Sequence, residues 1–135
     1  MLSSLEKHRD LGVLALRIAL AVIFFYHGQL KWGMWSPDAQ MTGGMLVLFK
    51  ALSIIEPLCA VALLIGIFTR PAALLLLITM VGAIYFKIMV FGVGFAGAQG
   101  TGWEFDLILG AACLSLLFGG AGKYSLDAKK SMPAV

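Results

Sequence analysis

Arg17, His27, Lys31, Glu56, Lys87, Glu104 and Asp106 are ionisable side chains set inside, or at the edges of, long apolar runs. Carboxylates beside ammonium or imidazole groups in a dry setting can hold or move protons, and can hydrogen-bond the carbonyls of a ligand. A charge inside a membrane span costs at least ~2.5–3.5 kcal/mol, so groups of this kind must pair. The spacing predicts Lys31 or Lys87 with Glu104 or Asp106, and Arg17 with Glu56, the latter requiring Arg17 to reach several Å along the bundle. Glu56 is short and cannot reach water from mid-span, which makes it the strongest candidate for function. Lys31, Lys87 and Arg17 also have a plainer reading, with long stems carrying their charge to the interface. His27 equally suits a helix end at the interface. Glu104 and Asp106 lie about 200° apart on a helix, so only one can face fully inward.

Four elements must position these groups. Apolar runs at 11–31, 44–68, 71–91 and 102–118 are each near the ~20 residues that cross ~30 Å of hydrocarbon. They are apolar all round rather than alternating, which excludes barrel strands. On the first, Arg17, Lys31 and His27 fall on one face, in steps of about 40°. The turn at Thr69-Arg70-Pro71, the polar stretch 32–43 with Ser36-Pro37-Asp38, and the glycine-rich loop 92–102 are short connections. Short connections predict an all-α, antiparallel four-helix membrane bundle. Pro57, following Glu56, removes a backbone donor and frees a carbonyl one turn back, making room beside the carboxylate. Ala15 and Ala19 offer a close helix contact.

The bulk numbers agree with a membrane class. Of 135 residues, 61% are hydrophobic and 13% charged, about half the charged share of soluble domains. The net charge of +3 suits an anionic membrane surface rather than nucleic acid. Lys7, Arg9, Arg70, Lys123, Lys129 and Lys130 fall on the side of the termini, whereas Lys31, Lys50 and Lys87 fall on the other. That asymmetry predicts cytoplasmic termini, with Trp32, Trp35, Tyr85 and Trp103 in an outer aromatic belt and Tyr124 at the inner interface. The first run is read as a retained span, because Arg17 interrupts it and no cleavage site follows. Cys59 and Cys113 read as buried free thiols, and no metal-ligand spacing is present. Gly92-Val93-Gly94-Phe95-Ala96-Gly97 has the GxGxxG form but lacks the strand that would give it meaning.

Three stretches together resemble the DoxX family of small bacterial membrane proteins, which includes DoxD-like proteins. They are Arg17 with Phe24-Phe25-Tyr26-His27-Gly28-Gln29-Leu30-Lys31; Glu56 with Leu63-Leu64-Ile65-Gly66 and Thr69-Arg70; and Glu104 with Gly120-Ala121-Gly122-Lys123-Tyr124-Ser125-Leu126-Asp127. Pro57 and Ala121 depart from the family, where small residues and Gly-Pro-Gly are common. The resemblance implies a bacterial plasma-membrane protein and places Glu104, rather than Asp106, in the interior. It also implies similarity to the membrane subunit of a thiosulfate:quinone oxidoreductase.

Three functions follow as expectations. One is a quinone-linked redox role in an assembly with a protein partner, since no redox centre is encoded. His27, Lys31 or Lys87 would donate to a quinone carbonyl, Glu56 or Glu104 would deliver protons, and Phe24, Phe25 and Tyr26 would pack the ring. The second is a non-catalytic anchor of a larger complex. A small-molecule transporter, which would need a homo-oligomer, is the third.

Overall fold

The structure, a computed structural model, describes residues 8–97 and 100–130. Lys7, which contributes to the charge asymmetry, lies outside the described residues. Helix α1 spans Arg9–Leu30 and runs into a 3-10 turn at Lys31–Trp35. Helices α2 (Gly43–Ile65), α3 (Thr69–Met89), α4 (Trp103–Gly119) and the short α5 (Leu126–Lys130) follow. Among the described residues there is no strand. Among the described residues, three helices are long and apolar enough to cross a membrane: Arg9–Trp35, Gly43–Ile65 and Thr69–Met89, with mean hydropathies of 1.9, 2.1 and 2.1. Helix α4 has 17 residues, a rise of about 26 Å.

Helix α1 packs along α2, and α3 packs along α4. Both pairs run antiparallel. Arg17 meets Leu63 while Lys31 meets Glu56, and Arg70 meets Phe118 while Lys87 meets Asp106. Leu20, Phe24, Leu63, Leu76, Cys113 and Leu116 form the buried centre, each at most 2% exposed. Large apolar side chains cover much of the outside, among them Val22, Val47, Val61 and Ile108. Such a surface suits lipid rather than water.

The turn between α2 and α3 is short because Gly66 ends α2 with φ +72°, a left-handed cap that needs glycine. Its N–H and that of Ile67 both donate to Ala62 O, at 2.9 and 3.0 Å. Pro71 falls in the first turn of α3, where its missing N–H has no helical acceptor to lose. The glycine-rich loop backs the start of α4. The N–H groups of Trp103 and Glu104 donate to the carbonyls of Gly94 and Phe95.

Candidate functional site

The last turn of α1 meets the middle of α2 at Gly28. A Cβ on Gly28 would run into the ring of Pro57, so glycine lets the two helices approach. Lys31 lies one turn on, and a lysine stem on a helix leans back toward the N-terminus. Its Nζ donates to His27 O at 2.9 Å and to Glu56 Oε2 at 2.6 Å. The two side chains are 17% and 3% exposed. Pro57 leaves the carbonyl of Ser53 without its helical donor. Trp32 Nε1 supplies one at 3.0 Å, while Trp35 Nε1 donates to Ser53 Oγ at 2.9 Å. The 3-10 turn is thereby fastened over α2, beside the ion pair.

The second pair joins α3 to α4. Lys87 Nζ lies 2.6 Å from Asp106 Oδ2, and it donates to the carbonyls of Gly102 at 3.1 Å and Thr101 at 3.4 Å. Asp106 occupies the first turn of α4, where the helix dipole favours a carboxylate. Both ion pairs flank a cavity of about 600 Å³ that all four long helices line. Its polar end is formed by His27, Lys31, Glu56, Lys87 and Asp106. The remaining wall is mostly apolar, with Thr79 and Thr101 among its residues and with Phe24, Phe49, Phe86, Phe91 and Phe105 as its aromatic rings. Leu75 and Ile78 line it while being 47% and 59% exposed, so the cavity reaches the outer surface of α3.

His27 has a defined tautomer. Its Nδ1 lies 2.9 Å from Ile23 O, and a carbonyl can only accept, so Nδ1 carries the proton. In the neutral ring Nε2 is then an acceptor. The ring sits 6.0 Å from that of Phe105 across the cavity wall.

Arg17 does something else. It is fully buried, and its guanidinium donates to Leu63 O, Leu64 O, Ala121 O and Tyr124 O at 2.7–2.9 Å. It closes the C-terminal end of α2 and ties it to the segment after α4. Asp127 completes this clasp by accepting from the N–H groups of Phe68 and Thr69, at 3.0 and 2.9 Å. Burial pulls the Asp127 carboxyl upward. The hydrogen bonds from Thr69 and Phe68, with the Lys130 charge, outweigh it and hold the group below its ordinary value.

The placement corrects several expectations. Arg17 does not pair with Glu56, because it meets α2 seven residues further on, about 10 Å away, and carbonyls occupy its donors. Lys31 takes Glu56 instead. Asp106, not Glu104, faces the cavity and pairs with Lys87. Glu104 has a buried Oε2 without a hydrogen bond and packs toward Gly102. Phe24 lines the cavity, but Phe25 and Tyr26 point outward, 41% and 58% exposed. Ala15 and Ala19 are exposed, and the close helix contact is at Gly28. Residues not foreseen as part of the site are Gly28, Phe86 and Phe105. The adjacency of Gly28 to the His27/Lys31 turn was the one available signal.

Comparison with known proteins adds two findings. A family model described as DoxX matches residues 12–91. A Haemophilus influenzae protein described only as uncharacterized is 34% identical over 135 residues, covering 95% of this chain and 97% of its own length. No solved structure matches.

Proposed function

The chain belongs to the DoxX family of membrane proteins, and from that premise we propose that it is the membrane subunit of a redox or respiratory assembly that binds a quinone in the cavity between its helices. The observation that carries this reading is the juxtaposition of two ion pairs, each with a buried carboxylate and a part-buried lysine, and His27 in a mostly apolar cavity. Ligand sites of this size are commonly apolar with a few convergent polar groups. A quinone has that division, with a polar ring and an apolar tail. Phe24, Phe86 and Phe105 would pack the ring. The exposed Leu75 and Ile78 would let the tail meet lipid. His27, Lys31 and Glu56 would bind the head, while Lys87 and Asp106 close the far side. Glu104, outside the cavity wall, would have no direct part.

In this reading α4 is a fourth span, completing an antiparallel membrane bundle, and its 17 residues would stand with little tilt. The basic residues near both termini would face the bacterial cytoplasm. The cavity would then open in the outer half of the membrane. Electrons would come from a protein partner, since the residues provide acid–base groups and no redox centre. Glu56→Gln tests the role in the native membrane. Persistence of the assembly with loss of quinone-dependent turnover supports a working site. Loss of the assembly itself would favour a purely anchoring subunit. Saturable, Glu56-dependent flux into liposomes would favour a transporter and count against both.

A further inference from the structure

We infer that the groove beside the α2–α3 turn holds the phosphate headgroup of an anionic phospholipid. This groove, of about 620 Å³, is separate from the cavity described above and does not depend on the quinone reading. Arg70, in the first turn of α3, lines it, whereas Lys87 and its ion pair lie at the last turn of the same helix. Two cations face the groove, Arg70 and Lys130, and both are exposed. The Arg70 guanidinium makes one weak hydrogen bond, from Nη2 to Phe118 O at 3.5 Å. Four of its five N–H donors therefore have no acceptor among the described residues. Lys130 Nζ lies 5.3 Å from the centroid of the Phe68 ring. Among the described residues, no carboxylate comes within 4.0 Å of either cation. Asp127 also lines the groove, but its two oxygens accept the N–H groups of Phe68 and Thr69. Two cations against one committed carboxylate leave the groove net positive.

The main chain adds donors. Ala121 O accepts from the buried Arg17 at 2.9 Å. In a planar trans peptide the N–H of Gly122 then points the other way, away from Arg17. Neither this N–H nor that of Ala121 has an acceptor among the described residues. Gly120 puts no side chain between them and Arg70, since a Cβ there would lie 3.7 Å from Arg70 Nη2. Successive main-chain N–H groups in a turn, set beside basic side chains, make an anion-binding concavity. The surface next to the groove selects a lipid over a free phosphate ion. Leu74, one turn along α3 from Arg70, is 43% exposed, and Phe118, whose carbonyl Arg70 meets, is 75% exposed. Both belong to the apolar outside of the bundle. Acyl chains can lie along them while the phosphate reaches Arg70 and Lys130. A zwitterionic headgroup would bring its own cation against these two, and phosphatidylglycerol brings none.

The test is native mass spectrometry of the full chain released from nanodiscs of equimolar phosphatidylcholine and phosphatidylglycerol with matched acyl chains. The expected result is that phosphatidylglycerol is retained about tenfold more often than phosphatidylcholine. Arg70→Gln and Lys130→Gln should each lower that ratio about fivefold. Lys50→Gln, near the start of α2 and so at the other end of the bundle, should leave it unchanged. Inorganic phosphate should not lower the ratio more than a chloride salt of equal ionic strength does. Specific displacement by phosphate would make the groove a site for the free ion and overturn the lipid assignment. Equal retention of the two lipids by the wild-type chain would overturn the proposal, as would selectivity that survives both substitutions. The wild-type ratio and Lys130→Gln decide the matter even if Arg70→Gln does not fold.

Discussion

Replacing Arg17 with alanine should destabilise the protein severely. The guanidinium makes four hydrogen bonds to main-chain carbonyls. Once it is gone, water can reach the carbonyls of Ala121 and Tyr124, whose residues are partly or fully exposed. Leu63 O lies in a buried bond and Leu64 O in a part-buried one. Each of these carbonyls left unpaired costs about 1–3 kcal/mol, so the loss is centred near ~4 kcal/mol. At ~2–4 °C per kcal/mol for a chain of this size class, Tm falls by roughly 10 °C. Cys59 and Cys113 are free and buried, and they provide the reporter. A thiol-reactive dye added to protein in detergent should react only as the helices open. Arg17→Lys should recover little, because one ammonium has three donors and cannot span four carbonyls in the guanidinium plane. An unchanged Tm for Arg17→Ala, or full recovery by Arg17→Lys, would refute the clasp.

Gly28→Ala should lower stability by about 1–3 kcal/mol in the same assay, because the added methyl meets the Pro57 ring and pushes α1 from α2. Trp32→Phe should cost about 1–2 kcal/mol by leaving Ser53 O without a donor. In a Pro57→Ala background, where the helix supplies its own N–H, the same change should cost less, and a strictly additive pair would contradict the pairing. Lys31→Glu should be poorly tolerated alone and partly rescued by Glu56→Lys, as expected for groups in direct contact. The Asp127 carboxyl is held below its ordinary value of 3.8, so its contribution is complete above that value and fades as pH falls through the lower, folded-state value. Asp127→Asn should therefore remove part of the acid sensitivity of Tm, and an identical pH profile would show that the cap at Phe68 and Thr69 does not matter.

Much of the helical layout was legible from composition. Apolar runs bounded by Pro71, Gly66 and the glycine-rich loop mark where chain can and cannot stay helical, and α1, α2 and α3 carry the hydropathy of membrane helices. That Lys87 would meet Glu104 or Asp106 followed from two charges placed at facing helix ends, and the 200° between the acids required a choice of one. Periodicity alone could not make that choice, because it depends on how α4 is rotated against α3. The Arg17–Glu56 expectation failed for a different reason. Angular position put Arg17 on the face of Lys31, but 14 residues separate them, about 21 Å along the axis. The axial offset of α1 against α2 is set by Gly28 seating on Pro57, a contact between residues 29 apart. Pro57 signalled a freed carbonyl, yet the indole that answers it belongs to a 3-10 turn whose path is tertiary. Trp32 and Trp35 read as interfacial anchors by type, and their N–H groups turn out to hold Ser53.

In the proposed function, lipid-borne quinone occupies the cavity with its head at the ion pairs. Photolabelling tests it most directly, using a short-tailed quinone with a diazirine on the tail, irradiated in native membranes and mapped by peptide. Labels should fall on α2 and α3 residues that line the cavity, such as Leu52, Leu75 and Ile78, and should vanish with excess unlabelled quinone. Labelling spread over outward residues such as Val22, Val61 and Ile108, undiminished by competitor, would contradict it.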